Sequence, residues 1–247
     1  MAYKPDGTAI SNPANASRSK WALLASAVNA LPGWLPIAYG VELFPHEDGT
    51  CQKLPAILNT YSPALTDYQL NTTSHCSGNS DVKLPPLSAS YLPTLLSTIV
   101  SASTTLLCYG TPTLNALSIA QQTLSAYNTP VKYVVFVTDG KQGCGESSDT
   151  VWAQIQSMRN VGIYTVVVGF DGSGALNTGT AKQHLSDWAC GGGKPVPQYA
   201  HCCDATGHYN TSACGTGAGN STFYFSSTSD GSDLNGVMQT LITNICQ

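Results

Sequence analysis

Two polar stretches of the sequence hold the residues best placed to do chemistry. The first, VVFVTDGKQGC, puts Thr138 and Asp139 directly after an apolar run. The second, CYGTPT, puts Thr111 and Thr113 at the start of a predicted helix. Ligands of open α/β sheets bind beyond the carboxyl ends of the strands, where such residues meet. A carboxylate beside hydroxyl groups suits a hard cation such as Mg²⁺, which takes oxygen ligands and keeps several waters.

Both stretches also have ordinary structural interpretations. An Asp-Gly pair after a strand is typical of a turn, and a Thr at a helix start is typical of an N-cap. Signatures of catalysis do not occur: the sequence has no Gly-x-Ser-x-Gly, no P-loop and no dinucleotide-binding glycine spacing after a strand. An α/β hydrolase-like enzyme therefore stays an alternative hypothesis beside a non-enzymatic binding site.

Helices and strands alternate along the chain and would position these residues. Apolar runs predict four strands, of which 131–140 is expected to be the most buried. They span residues 37–45, 131–140, 162–170 and 222–227. Helical spacing of apolar residues predicts the helices, with Ser147 or Ser148 capping one of them. They span residues 17–31, 87–100, 111–127, 148–160, 180–189 and 234–245.

This order predicts one α/β domain over residues 1–247, Rossmann-like and doubly wound. A mostly parallel central sheet would be flanked by helices. Two Cys-bearing insertions would interrupt the pattern, at about 46–86 and 190–221.

The composition excludes some partners and favours an extracytoplasmic location. The net charge is −4 and no basic stripe occurs, so nucleic acid is not an expected partner. No apolar run approaches the ~20 residues that a membrane-spanning helix needs. The nine cysteines contain no Cys-x-x-Cys pair, which favours disulfides formed in an oxidising compartment.

The spacing of the cysteines leaves their pairing open. The pairs considered are Cys51 with Cys76, Cys144 with Cys190, and Cys202 or Cys203 with Cys214. A zinc site is the alternative. Its ligands would come from four cysteines and three histidines: Cys190, Cys202, Cys203, Cys214, His184, His201 and His208. Because the motif His-Cys-Cys followed by His208 has no recognised zinc spacing, we favour disulfides.

Five stretches, taken together and in order, resemble a von Willebrand factor type A domain of the bacterial secreted and cell-surface kind. They are SKWALLASAVNALPGWLPIAYGVELFP, CYGTPTLNALSIAQQTL, YVVFVTDGKQGCG, VGIYTVVVGF and STSDGSDLNGVMQTLITNI. The resemblance implies a metal-ion-dependent adhesion site for Mg²⁺ or Mn²⁺. It implies Thr111 as the threonine ligand, Thr113 as a nearby substitute, and Asp139 as the aspartate that holds a coordinated water. A carboxylate of a partner protein or other ligand would fill the open coordination position.

The sequence departs from this family pattern in its first loop, because no Asp-x-Ser-x-Ser occurs in it. In bacterial members a Met follows that motif, then a polar loop, then a helix that begins Lys-Trp. Met1 and the polar stretch up to Lys20 and Trp21 fit the same order, so we expect the chain to start at an internal Met of a longer protein. With two of the usual five ligand side chains, weak or no Mg²⁺ binding is expected. A structural or assembly domain with a vestigial site is the alternative.

Overall fold

The structure is a computed structural model, and it describes ten stretches of the chain. They are residues 23–24, 26–27, 39–43, 81–87, 111–138, 142–170, 176, 178–215, 221–226 and 232–246. The four described residues of the first predicted helix, between Leu23 and Ala27, are helical. The helix predicted over 87–100 lies outside the described residues except for Leu87, which belongs to a strand.

From Thr113 onward the described helices and strands follow the predicted order. They are α1 Thr113–Ser125, β3 Lys132–Thr138, α2 Ser148–Asn160, β4 Ile163–Phe170, α3 Gly179–Gly191, β5 Tyr224–Ser226 and α5 Leu234–Cys246. Two strands lie earlier in the chain, β1 Tyr39–Leu43 and β2 Asp81–Leu87. A 3-10 helix, Pro197–Cys202, and the short helix α4, Thr211–Cys214, lie between α3 and β5. The cap predicted for α2 is confirmed, because the Ser147 hydroxyl accepts a hydrogen bond from Thr150 N at 3.1 Å.

β1 and β2 form an antiparallel pair of their own, with Tyr39 opposite Leu87 and Leu43 opposite Asp81. β2 falls in the stretch predicted to be an insertion, where no strand was predicted. The sequence of β2, DVKLPPL, is not typical of a strand because two consecutive prolines cannot donate backbone hydrogen bonds to a neighbouring strand. Prolines of this kind favour a position at the edge of a sheet. β1 was predicted correctly as a strand.

β3, β4 and β5 form a parallel sheet in that order. β3 and β4 pair over their length, from Lys132 opposite Ile163 to Thr138 opposite Gly169. Parallel strands joined by helices confirm an α/β fold. Because β4 lies between the two others, its backbone is paired on both edges.

Burial differs sharply between the two long strands. All residues from Thr165 to Phe170 in β4 are buried, whereas in β3 only Phe136 and Thr138 are. Since neighbouring side chains of a strand point to opposite faces, an unbroken buried run means that both faces of β4 are covered. The prediction that 131–140 is the most buried strand was therefore wrong: among the described residues β3 pairs with β4 alone, and the central strand is the buried one.

The main core lies between the sheet and helices α1, α2 and α3. Its buried members are Leu117, Phe136, Val151, Ile155, Met158, Ile163, Val167, Leu176, Leu185, Trp188, Ala189 and Phe223. Each large apolar side chain buried in this way contributes roughly 1.5–3 kcal/mol. α5 packs against β5 and buries its own apolar stripe, which includes Leu234, Met238 and Leu241. These contacts pack helices against the parallel sheet, whose strand β3 ends at Thr138, directly before Asp139 in the sequence.

Candidate functional site

The predicted threonine ligands lie at the beginning of α1. Thr111 is half-buried, whereas Thr113 is fully buried and its hydroxyl donates to the Thr111 carbonyl at 3.5 Å. The residue before the helix is Pro112, which supplies no side-chain cap. Thr113 therefore makes a local contact within its own turn. Asp139 follows Thr138, the buried last residue of β3, and itself lies outside the described residues.

The loop that follows β3 packs against the Thr111 turn. Gly143 N donates to the Thr111 carbonyl at 3.0 Å, and Glu146 N donates to the Gly143 carbonyl at 3.0 Å. We call residues 111–114 and 142–146 together the Thr111 junction. Its contacts place Thr111 beside residues 142–146, the described part of the loop after β3.

Glu146 makes a second contact between the two parts of the Thr111 junction. Its Oε2 accepts a hydrogen bond from Leu114 N at 3.0 Å, and the backbone N–H groups of Thr113 and Asn115 also bond this carboxylate. Partial burial raises the pKa of Glu146 above its ordinary value, and the three backbone hydrogen bonds, which lower it, only partly offset this. A carboxylate at the positive end of a helix is favourable. Glu146 is thus the N-terminal cap of α1.

Sequence reasoning missed Glu146 as a site residue. The residue it caps, Leu114, lies 32 positions away along the chain. A capping pattern read from sequence looks only three or four residues ahead of the helix. One feature of the sequence could have identified it. Glu146 is an acidic residue in the loop that follows β3, and this loop leaves the sheet at the edge where α1 begins.

Gly143 allows the two halves of the junction to approach closely. A Cβ at this position would lie 3.2 Å from Thr111 N and 3.4 Å from Thr111 Cβ. Next to it, Cys144 has a φ of 60° and is disulfide-bonded. The close approach of the Gly143 and Thr111 backbones therefore determines the shape of the Thr111 junction.

Cys190, near the end of α3, and three cysteines that follow the helix form two bridges, Cys190–Cys203 and Cys202–Cys214. Of the pairings considered, Cys202 with Cys214 is confirmed and Cys144 with Cys190 was wrong. The chain turns back on itself after α3 and brings a nearer partner to Cys190, which is 13 residues away along the chain. Cys51 and Cys76 lie outside the described residues.

Residues 190–215, which we call the cysteine segment, pack on α2 and α3. The Trp152 ring stacks on His208 with centroids 3.9 Å apart, and its indole N–H donates to the Gly207 carbonyl at 3.0 Å. On α3, the Asp187 carboxylate accepts from Tyr209 N at 2.7 Å. Of the three histidines considered for zinc, His201 has a ring nitrogen close to sulfur, 3.7 Å from Cys202 Sγ.

The oxygen donors at the Thr111 junction suit a hard cation in type, although their number is small. Of the described side chains there, Thr111 carries a half-buried hydroxyl and Gln142 a buried amide oxygen that accepts no hydrogen bond among the described residues. Thr113 uses its hydroxyl within its own turn, and Glu146 uses its carboxylate on the α1 backbone. Mg²⁺ dehydrates reluctantly and demands well-placed oxygens. The described part of the junction therefore offers an incomplete set of ligands.

Comparison with known proteins found no match for this chain among protein-family models, curated protein sequences or solved structures. Within the described residues, no helix is both long and apolar enough to cross a membrane. Functional assignment therefore rests on the junction and the cysteine segment themselves.

Proposed function

We propose that the chain is a non-enzymatic binding domain whose ligand site is the Thr111 junction, of the cation-dependent adhesion type that the sequence resembles. The observation that carries the proposal is the hydrogen bond from Gly143 to Thr111, which holds the threonine turn against the loop that starts at Asp139. A threonine and an aspartate on these two loops are two of the residues that the resemblance calls for.

In this proposal Thr111 would hold Mg²⁺ or Mn²⁺ directly or through water, and Asp139 would hold a coordinated water. The cation, when bound, supplies a Lewis-acidic position for a carboxylate of a partner protein or other ligand. The chain itself orients Thr111 through the Gly143 contact and keeps the α1 terminus capped through Glu146. Because the described ligand set is incomplete, the affinity of this chain for Mg²⁺ is proposed to be weak.

The disulfides support an extracytoplasmic setting, because such bonds form and persist in oxidising compartments. We propose that the domain works outside the cytoplasm or at the cell surface. A second candidate, a structural or assembly domain with a vestigial site, is favoured by one observation. The α1 terminus beside Thr111 already holds a carboxylate, that of Glu146, from the same chain.

Calorimetry with Mg²⁺ and with Mn²⁺ tests the proposal on four proteins: wild type, Asp139→Ala, Thr111→Ala and the control Thr111→Ser. Weak binding that Asp139→Ala and Thr111→Ala abolish, and that Thr111→Ser retains, supports the site. Low-micromolar binding abolished by Asp139→Ala would keep the site and refute its weakness. Binding that neither alanine variant changes would place the cation elsewhere, and no binding at any concentration favours the structural alternative.

A further inference from the structure

A second group of chemistry-bearing side chains lies in the cysteine segment, apart from the Thr111 junction. The possible ligand atoms of His201, Cys202 and Cys214 all lie within 4.8 Å of one another. His201 Nε2 is 3.7 Å from Cys202 Sγ. In the structure the two sulfurs are joined as a disulfide. The same three side chains become one nitrogen and two sulfur ligands when that bond is reduced.

We propose that the Cys202–Cys214 bridge is a redox-gated zinc site. It is closed to metal as a disulfide, and after reduction it binds Zn²⁺ through His201, Cys202 and Cys214. Imidazole nitrogen and thiolate sulfur are the ligands that zinc takes in tetrahedral sites. Three protein ligands leave the fourth position to water. This site is independent of the function proposed for Thr111.

In this proposal a dithiol reduces the Cys202–Cys214 bond. The solvent exposure of the two cysteines decides which sulfur the dithiol attacks. Cys202 is fully buried, whereas Cys214 is partly exposed, so the incoming thiolate bonds to Cys214 Sγ. The disulfide bond breaks and Cys202 leaves as a thiolate, which the neighbouring His201 ring N–H can stabilise by a hydrogen bond. The second thiol of the reductant then attacks the mixed disulfide and releases Cys214. Two electrons pass from the dithiol, which ends as a disulfide, and Zn²⁺ displaces the thiol protons.

Non-covalent contacts hold the two sulfurs near each other after the bridge opens. Asn210 N donates to the Cys202 carbonyl at 2.7 Å. The Asn210 side chain in turn accepts from Ser212 N at 3.0 Å and Ala213 N at 3.3 Å, and so caps the short helix that ends at Cys214. One residue therefore links the backbone at Cys202 to the helix that carries Cys214. The adjacent Cys190–Cys203 bridge links the chain next to Cys202 to α3.

The experiment compares oxidised protein with protein treated with a limited amount of a phosphine reductant. Mass spectrometry maps which disulfide has opened, and circular dichroism follows the fold. Zn²⁺ is titrated against a chromogenic chelator, and Co²⁺ is used as a spectroscopic probe of thiolate ligation. We expect no zinc binding by the oxidised chain. After the Cys202–Cys214 bridge opens, we expect one Zn²⁺ per chain and a thiolate-to-cobalt charge-transfer band.

Two histidine variants make the test specific, and both avoid the cysteines. His201→Gln removes an exposed ligand. It should weaken zinc binding at least about tenfold, since even residues that only support a ligand cost that much. His208→Gln, the matched control, should leave the affinity unchanged, because His208 stacks on Trp152.

Three results would overturn the proposal. The first is a reduced chain that binds no zinc. The second is equal zinc affinity in His201→Gln and wild type, which would also expose binding by an unfolded chain through unrelated cysteines. The third is a Cys202→Ser/Cys214→Ser double variant that keeps both its zinc stoichiometry and its cobalt band.

Discussion

The Thr111 junction and the cysteine segment are both polar regions beside the core, yet they differ in the contacts that the structure describes within them. The described contacts between the two parts of the junction are a few hydrogen bonds, chiefly Gly143 to Thr111 and Leu114 to Glu146, and Cys144 within the junction is disulfide-bonded. The cysteine segment closes through two disulfides of 12 and 13 residues separation. A bridge over such a loop contributes about 3 kcal/mol, whereas a hydrogen bond contributes about 1 kcal/mol net. The two disulfides are therefore expected to contribute more to holding the cysteine segment together than the described hydrogen bonds contribute to joining the two parts of the junction.

Removing a disulfide is expected to have the largest effect on this comparison. The double variant Cys190→Ser/Cys203→Ser should lower the free energy of unfolding by about 3 kcal/mol, because the unfolded chain regains the freedom of the closed loop. Urea unfolding measures the change. A loss below about 1 kcal/mol would mean that the packing on Trp152 and Asp187, and not the covalent bond, holds the segment.

The second largest effect on stability is expected from replacing Gly207, a glycine of the cysteine segment. Gly207 has a φ of +90°, and a Cβ there would lie 2.4 Å from Gln156 Nε2. We expect Gly207→Ala to cost about 1–2 kcal/mol, mainly from the unfavourable backbone conformation. The flexible end of Gln156 can move aside and would then give up its hydrogen bond to the Thr206 carbonyl. Thermal and urea unfolding provide the measurement.

Gly145 in the junction is the matched control for that change. Its φ is +74°, but nothing lies within 4 Å of its added Cβ. Gly145→Ala should therefore cost only the backbone term of about 1 kcal/mol. Equal losses in the two variants would show that the contact with Gln156 adds nothing.

Truncating the junction's own cap should have a smaller effect. Glu146→Ala removes the acceptor for three backbone N–H groups of α1 and should cost about 1 kcal/mol, the usual value for losing an N-cap. Hydrogen exchange at Leu114 should quicken while exchange at Tyr209, in the cysteine segment, stays slow. Glu146→Gln, which keeps an oxygen acceptor, serves as the control and should fall between wild type and alanine. Faster exchange in both regions would show that the two are coupled.

The smallest expected effect is a local pH dependence in the cysteine segment. Hydrogen bonds from the Thr206 hydroxyl, and then from the His208 backbone N–H, lower the pKa of Asp204 below its usual value. The stability this carboxylate provides is therefore present above its unfolded pKa and is lost as the pH falls through the lower folded pKa. Protection of the His208 amide from exchange should weaken at acid pH. In Asp204→Asn that protection should not vary over the same range, and an unchanged acid response would exclude Asp204 as its cause.

Local patterns predicted most of the described elements well. The helix over 148–160 and its Ser147 cap follow from helical spacing and a short-range cap, both of which depend on neighbouring residues. β4, predicted at 162–170, runs from Ile163 to Phe170. β2 was missed because its prolines contradict the usual strand pattern and only its pairing with β1 makes it a strand.

The candidate site was predictable in part. Thr111 was singled out because it opens a helix near the expected carboxyl edge of the sheet. Glu146 was not, because its partner at Leu114 is brought to it by the fold. For the cysteines, the sequence left Cys202 and Cys203 equivalent as partners of Cys214, and the backbone path decided between them.

By itself the sequence determined the alternation of helix and strand, and with it a parallel α/β sheet, because hydrophobic periodicity is a property of neighbouring residues. Only the tertiary structure decided that β4 is central and buried while β3 is partly exposed, although both are equally apolar. It also decided that Cys190 pairs with Cys203 and that Glu146 caps α1. Each of these depends on which distant segments meet, and that follows from the path of the chain through the fold.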